Sequence, residues 1–313
     1  MEYNHKAILR KKASRWLFIL PEKRYDYTYG KGIKSMIYKE FELKEDGSLE
    51  GSKLTVYIQE TASPKLKIKK RPMVIVCPGG GYEYTSDREA EPIALSFLAK
   101  GFHAAVLRYS CAPAKYPTAL LELARSVLIV REHADEWWID RDAIIVQGSS
   151  AGGHLAASFA CFWHEDFLAE KMMGDKSASC KEVLRPNGLL LSYPVITSGE
   201  YAHKGSFEKL LGDRISELNG KMSLETAVNE NVPETFIWAT FTDGAVPVEN
   251  SLLFAMALKK QNINTELHIF CEGSHGLALS NHLTEGPEGK EIVPSCEVWI
   301  DLACTWLKNK FYN

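Results

Sequence analysis

The 313-residue sequence has no apolar run approaching the length a membrane helix needs. It shows no internal repeat and no low-complexity segment, so it reads as one globular pattern. The formal net charge is only −3, and no basic or aromatic stripe runs along the chain. Nothing therefore draws it to nucleic acid or to a membrane surface. Cysteine is sparse, with seven scattered residues, Cys77, Cys161 and Cys304 among them inside apolar elements. That is the pattern of reduced, buried thiols and implies a cytoplasmic protein. Cys161 and His164 stand at helical i,i+3 spacing, but no second pair of ligands lies nearby, so packing is expected there and no metal. The glycine cluster at residues 79–81 lacks the Gly-Lys-Ser/Thr ending of a phosphate loop, and it is not G-x-G-x-x-G. No organic cofactor is expected either. Near the start, Lys6 to Arg15 is basic and Trp16 to Leu20 apolar. That apolar stretch is too short for a signal peptide, and Pro21-Glu22-Lys23-Arg24 is no cleavage site.

What is present centres on Gly148-Ser149-Ser150-Ala151-Gly152. This G-x-S-x-G pattern follows the apolar run Ala143-Ile144-Ile145-Val146 and opens the helical stretch Gly153-His154-Leu155-Ala156-Ala157. Strand, sharp turn and helix in that order make a nucleophile elbow. Holding a serine at such a turn strains the backbone, which glycine and small neighbours tolerate. The helix start offers free N–H groups and a partial positive charge. The Ala151 N–H is thereby a candidate for stabilising an oxyanion. His154, one turn further on, is read as a packing residue.

Upstream, Met73-Val74-Ile75-Val76 reads as a short buried strand leading into Cys77-Pro78-Gly79-Gly80-Gly81-Tyr82. Glycines here let the N–H groups of Gly80 and Gly81 approach a substrate carbonyl, as the other half of an oxyanion hole. Tyr82 and Ser149 are candidate substrate contacts. Downstream, the strand Thr235 to Phe241 is followed by Thr242-Asp243-Gly244, and the strand Thr265 to Phe270 by Glu272-Gly273-Ser274-His275-Gly276. An acid and then a histidine, each just past a strand end, complete the order Ser…Asp…His. Ser150 is the expected nucleophile, His275 the base and Asp243 the group that holds its tautomer. Glu249 is the rival acid, weaker because it sits within a helix opened by Val246-Pro247.

Around these motifs the chain alternates strand and helix from Met73 onward, which implies a parallel sheet covered on both faces. Lys34 to Leu43 and Leu54 to Gln59 alternate like an antiparallel pair joined by Glu45-Asp46-Gly47-Ser48. Ala90, Ile93, Ala94, Phe97 and Leu98 make one helical stripe; Leu120, Ala124, Val127, Leu128 and Arg131 a second; Trp299, Leu302, Ala303 and Trp306 a third. Residues 195–232 break the rhythm. Short helical turns with capping serines at Ser206 and Ser223 are expected there, forming a short cap over an open pocket. Residues 1–33 read as an N-terminal leader with one amphipathic helix, and residues 34–313 as one catalytic domain. Hydrophobic content of 45% and charged content of 25% suit a globular enzyme.

The blocks Pro78-Gly79-Gly80-Gly81-Tyr82, Leu107-Arg108-Tyr109, Gly148 to Ala156, Ser192-Tyr193-Pro194-Val195-Ile196, Val246-Pro247-Val248-Glu249-Asn250-Ser251 and Gly273-Ser274-His275-Gly276 resemble the α/β-hydrolase esterases, in their acetyl esterase or acetylxylan esterase-like branch. The resemblance spans roughly residues 34–311. It implies an α/β-hydrolase fold, with a mostly parallel twisted sheet of about eight strands and helices on both faces. It implies short acyl groups, acetyl foremost, on a sugar or xylan-derived alcohol. This chain has Pro78 where many relatives have a histidine before the glycines, and it lacks their histidine near Ala239. A serine peptidase with the same triad would carry a large extra domain, and a lipase a larger apolar lid. A non-catalytic binding protein would most simply have lost Ser, Asp or His. A homo-oligomer stays open.

Overall fold

The computed structural model describes residues 36–59, 67–68 and 70–312. The leader and amphipathic helix expected over residues 1–33 lie outside the described residues, as do Lys34 and Ser35. The first strands are β1 (Ile37–Glu42) and β2 (Lys53–Ile58), paired antiparallel as expected. Their connection is longer than a tight hairpin and contains a turn closed by Ser48 N–H donating to the Glu45 carbonyl at 3.0 Å. Then come β3 (Arg71–Cys77), α1 (Glu91–Ala99), β4 (His103–Arg108), α2 (Thr118–Glu132), β5 (Ile139–Ser149) and α3 (Ala151–Phe162). Two short helices, α4 (Asp166–Met173) and α5 (Ala178–Leu184), lead to β6 (Gly188–Ser192). The segment after β6 holds α6 (Lys204–Leu211), α7 (Ile215–Leu218) and two 3-10 turns. Last are β7 (Thr235–Thr240), α8 (Glu249–Lys260), β8 (Thr265–Phe270), α9 (Pro294–Glu297) and α10 (Trp299–Phe311).

The eight strands form one sheet in the order β1-β2-β4-β3-β5-β6-β7-β8. It is antiparallel through β1, β2 and β4 and parallel from β4 to β8. The central strands are apolar without alternation because both faces are covered. In β3, Met73, Ile75 and Cys77 join a core with α2 and α3, while Val74 and Val76 join a second core with α1 and α10. The stripe residues Ile93, Ala94, Phe97 and Leu98 of α1 are buried in that second core. There Trp238 of β7 and Trp299 of α10 stack at 5.1 Å and 21°. Every residue of α3 is buried, which explains why its sequence is apolar nearly all round.

The segment 195–232 departs from expectation in one detail. Ser206 does not cap a helix: α6 begins at Lys204, and the Ser206 hydroxyl bonds His203 Nδ1 at 2.8 Å. Ser223 does precede a turn, Leu224–Thr226, but its hydroxyl bonds the Glu225 carboxylate at 2.8 Å and accepts from Ser198 N–H at 2.9 Å. The segment is tied down at its start by the buried Asn250. The Asn250 carbonyl oxygen accepts from Ile196 and Thr197 N–H at 2.9 and 3.0 Å, and its amide donates to the Tyr201 carbonyl at 2.9 Å.

Two histidines are sealed in this framework, His103 on β4 and His154 on α3. Burial is the leading cause that pushes each from 6.5 down to about 4. The unfolded chain therefore binds protons, over that interval, that the folded chain refuses. The stability they permit is complete above the unfolded value and is lost as pH falls toward the folded one. The slope is up to about 1.4 kcal/mol per pH unit for each residue. Urea unfolding midpoints should drop between about pH 7 and about pH 5, and the gap between the parent and a His154→Gln variant should narrow over the same interval. A gap that does not change with pH would contradict this.

Candidate active site

The site is assembled at the C-terminal ends of the parallel strands, where connecting loops meet at one edge of the sheet. β5 stands between β3 and β6, so the turn after β5 has backbone on both sides. Ser150 occupies that turn with φ 53° and ψ −120°, a left-handed conformation rare for a side-chain-bearing residue. Its N–H donates to the Ser192 carbonyl at 3.0 Å, and its carbonyl accepts from Val195 N–H at 3.0 Å. The last residue of β6 and the segment just after it thus hold the strain in place.

The glycines of the motif follow from close backbone approach. A Cβ on Gly148 would stand 2.1 Å from the Gly152 carbonyl oxygen. A Cβ on Gly152 would stand 2.1 Å from the Cys77 carbonyl oxygen and 2.4 Å from that of Pro78. The first turn of α3 therefore lies directly against the end of β3.

Three side chains line up from this turn. The Ser150 hydroxyl lies 2.7 Å from His275 Nε2, and His275 Nδ1 lies 2.6 Å from Asp243 Oδ2. The other oxygen of Asp243 accepts from the N–H groups of Ala245 and Val246, both at 2.9 Å. With its Nδ1–H donated to Asp243, the neutral imidazole leaves Nε2 free to accept the Ser150 proton. That is the arrangement in which a histidine can take a proton from a serine and return it to a leaving group. Ser150 is 8% exposed. Asp243, and not Glu249, is the carboxylate within reach of the ring; Glu249 is the first residue of α8.

Opposite the serine lies the glycine loop. The Gly79 carbonyl accepts from Ser86 N–H at 2.9 Å, and the Gly80 carbonyl accepts from Glu83 and Tyr84 N–H at 3.0 and 3.3 Å. A trans peptide carries its N–H opposite its carbonyl. Tying both carbonyls to the turn at residues 83–86 therefore aims the N–H groups of Gly80 and Gly81 away from it. Neither donates to a protein acceptor among the described residues. Gly80 has φ +123° and a Cβ there would meet the Tyr84 carbonyl at 2.2 Å, so only glycine fits. Gly79 presses on the serine, with its Cβ position 2.9 Å from the Ser150 Cβ. The Ala151 N–H, first in α3, completes the set of unused donors.

Two expected contacts fall elsewhere. Tyr82 is only 3% exposed and lies beneath the loop, its hydroxyl 2.9 Å from His154 Nδ1. His154 Nε2–H donates to the Met222 carbonyl at 3.0 Å, which leaves Nδ1 to accept the tyrosine proton. His154 thereby ties the glycine loop to the segment 195–232 and packs as read from the sequence. Ser149 is fully buried and accepts from the Gln147 amide at 3.1 Å. Both are structural supports: Ser149 ends β5 inside the sheet, and Tyr82 packs against Tyr109 and His154. Cys161 is buried on α3, where desolvation pushes its thiol up, and His164 packs edge-on against Trp163. All seven cysteines are unpaired. Among the described residues no cluster of three or more His, Cys, Asp or Glu side chains could hold a metal ion.

One residue near the site was not anticipated. His203 stands just before α6, its Nδ1 fixed by Ser206, whose oxygen lies 3.9 Å from the Cβ position of Gly81. Burial first, and the neighbouring His275 second, hold its pKa below the usual histidine value, against an upward pull from Asp243. A lone histidine in a polar segment carries no sequence signal that would have singled it out.

The strand order, the elbow between strand and helix, and the Ser-His-Asp line define an α/β-hydrolase. Residues 60–258, more than half of the chain, match the BD-FAE family, and the chain belongs to that family. An endo-1,4-beta-xylanase B from Butyrivibrio fibrisolvens is 37% identical over 217 residues, 68% of this chain and 33% of that protein. An acetylxylan esterase from Xylanibacter ruminicola is 29% identical over 213 residues, 66% of this chain and 41% of that protein. The chain thus spans well under half the length of these two relatives. The crystal structure of an acetyl ester-xyloside bifunctional hydrolase from Caldicellulosiruptor lactoaceticus superposes with a TM-score of 0.70 at 37% identity, covering 82% of this chain and 88% of that one.

The tightest packing constraint here is testable without a substrate. Gly152→Ala would put a methyl group into two carbonyl oxygens of β3's end and should destabilise the fold by more than about 3 kcal/mol. Thermal or urea unfolding reads this directly; a variant as stable as the parent would show that the elbow does not touch β3 as described.

Proposed function

We propose that this chain is a serine carboxylic ester hydrolase that removes short acyl groups, acetyl foremost, from a carbohydrate alcohol such as an acetylated xylo-oligosaccharide. The observation that carries the reading is the continuous line Ser150–His275–Asp243 at 2.7 and 2.6 Å, facing the unused N–H groups of Gly80, Gly81 and Ala151. Ser150 attacks the ester carbonyl as His275 Nε2 takes its proton, and Asp243 stabilises the imidazolium that forms. The carbonyl oxygen becomes an oxyanion held by the three N–H groups. Collapse expels the alcohol, which takes the proton back from His275. Water then enters, gives a proton to His275 and attacks the acyl-enzyme; collapse breaks the bond to Ser150, whose oxygen takes that proton back from His275 as the acid leaves. Apart from the ester and the attacking water, the groups in these steps are side chains and backbone N–H groups of this chain.

The sugar part of the reading is supported by the names of two similar proteins, an acetylxylan esterase and an acetyl ester-xyloside bifunctional hydrolase. The domain reading runs from residue 34 to residue 313, with residues 195–232 as a cap; the half-buried His203 is the candidate contact for the alcohol. Unpaired cysteines throughout favour a reducing compartment. Among the described residues no helix is long and apolar enough to cross a membrane.

Ser150→Ala should fold normally and lose about 10^4-fold or more in kcat, leaving only the contribution of binding and the oxyanion donors. Asp243→Asn should lose about 10^3- to 10^4-fold by disfavouring the useful tautomer of His275, whereas Glu249→Gln should keep most of the activity. Loss with Glu249→Gln and retention with Asp243→Asn would reverse the assignment.

Acyl size gives an independent test. A deep acyl tunnel would raise kcat/KM with chain length, at about 0.8 kcal/mol per buried methylene. We expect the opposite, with acetyl or propionyl nitrophenyl esters fastest, octanoyl esters poor, and acetate released from acetylated xylo-oligosaccharides. Preference for octanoyl esters with no acetate release from the oligosaccharide would reject the short-acyl carbohydrate reading.

A further inference from the structure

Behind the glycine loop lies a carboxylate that the reaction itself does not use. Glu89 precedes α1, is 4% exposed, and forms none of the described ion pairs. Its two oxygens serve two different loops. Oε2 accepts from the Gly79 N–H at 2.9 Å, and Oε1 accepts from the Tyr193 hydroxyl at 2.7 Å. Tyr193 passes the connection on: its oxygen accepts from the Ala278 N–H at 2.9 Å, and its ring meets the His275 ring edge-on at 5.2 Å and 74°. A buried carboxylate costs several kcal/mol in desolvation unless its oxygens are well bonded. Here two donors and the start of α1 offset that cost.

We infer that Glu89 is a positioning residue that sets the distance between the oxyanion loop and the histidine loop, with Tyr193 as its relay. The inference rests on the serine hydrolase reading of the same site. Glycine 79 is the residue that presses on Ser150, so a shift of its N–H moves the whole triple-glycine turn relative to the nucleophile. Ala278 lies three residues after His275, so a shift of its N–H moves the base. One rigid carboxylate fixes both movements together. A glutamine in its place would keep the shape but offer a single acceptor oxygen, and its amide would face a donor on one side. Exposure of an extended glycine loop to a substrate would otherwise leave its geometry soft, since the glycines have no side chains of their own to pack.

The test compares the parent with Glu89→Gln, Tyr193→Phe and the double variant. Steady-state hydrolysis of nitrophenyl acetate should show kcat lowered by about 10- to 100-fold in each single variant, with KM changed little, because geometry is lost at the transition state and not in binding. The double variant should be no slower than the slower single one, since both interrupt one connection. Amide hydrogen exchange should rise in both variants at residues 79–82 and at residues 275–280 together, while exchange in β5 stays as in the parent. Tyr193→Phe removes only a hydroxyl, so it keeps the test open if Glu89→Gln does not fold. Lower melting temperature with unchanged kcat, or exchange that rises in one loop only, would overturn the inference. A parent inactive on every ester would sink the hydrolase reading instead, and the paired exchange would still decide whether the carboxylate couples the two loops.

Discussion

Where the first turn of α3 meets the end of β3, two backbones touch with no side chain between them. Gly152 lies against the carbonyls of Cys77 and Pro78, and Gly148 against the carbonyl of Gly152. This contact decides how far Ser150 stands from the glycine loop, because the loop begins where β3 ends. It also explains the positive φ of Ser150: the chain must reverse within one residue to start a helix so close to the strand it has just left. The parallel pairing of β3 with β5 and of β5 with β6 supplies the hydrogen bonds that make the reversal sustainable. Any substitution that widens the elbow would move Ser150 away from the N–H groups of Gly80 and Gly81.

Around that contact the site is built from loops that are each held by a buried or half-buried polar side chain. Glu89 holds Gly79 and Tyr193. His154 joins Tyr82 to Met222. Asn250 anchors the start of the segment 195–232. Tyr109 donates to the Pro78 carbonyl at 2.7 Å, and Arg108 donates to the Thr85 carbonyl at 3.1 Å. Loops cannot bury much apolar surface, so their geometry is set by directional bonds instead. The sheet supplies the stability, and these few polar side chains supply the shape.

The sequence made some of this legible and hid the rest. Met73 to Val76 and Ala143 to Val146 were readable as strands because both faces of the sheet are covered, giving apolar runs too short for helices. The elbow was readable because tight backbone contact demands glycine at fixed offsets. Asp243 and His275 were readable from their places just after β7 and β8. Tyr82 and Ser149 were misplaced because adjacency in sequence to a reacting residue says nothing about which way a side chain points at a sharp turn. Glu89 and His203 were invisible, since their partners are distant in sequence and no periodic pattern marks them. The helices α4 and α5 went unread for a similar reason: both are short, with Leu168, Ala169 and Met172 the only buried residues of the first and Leu184 of the second. The serine at 206 looked like a helix cap because its residue type fits one, but α6 starts two residues earlier.

The proposed mechanism requires the Ser150 hydroxyl oxygen to carry the acyl group. Incubation with an aryl phosphonate ester, followed by intact mass and peptide mapping, tests that point directly. One phosphonyl group per chain is expected, located on the peptide containing Ser150 and absent from the Ser150→Ala variant. Labelling at any other residue, or full labelling of the Ser150→Ala variant, would contradict it.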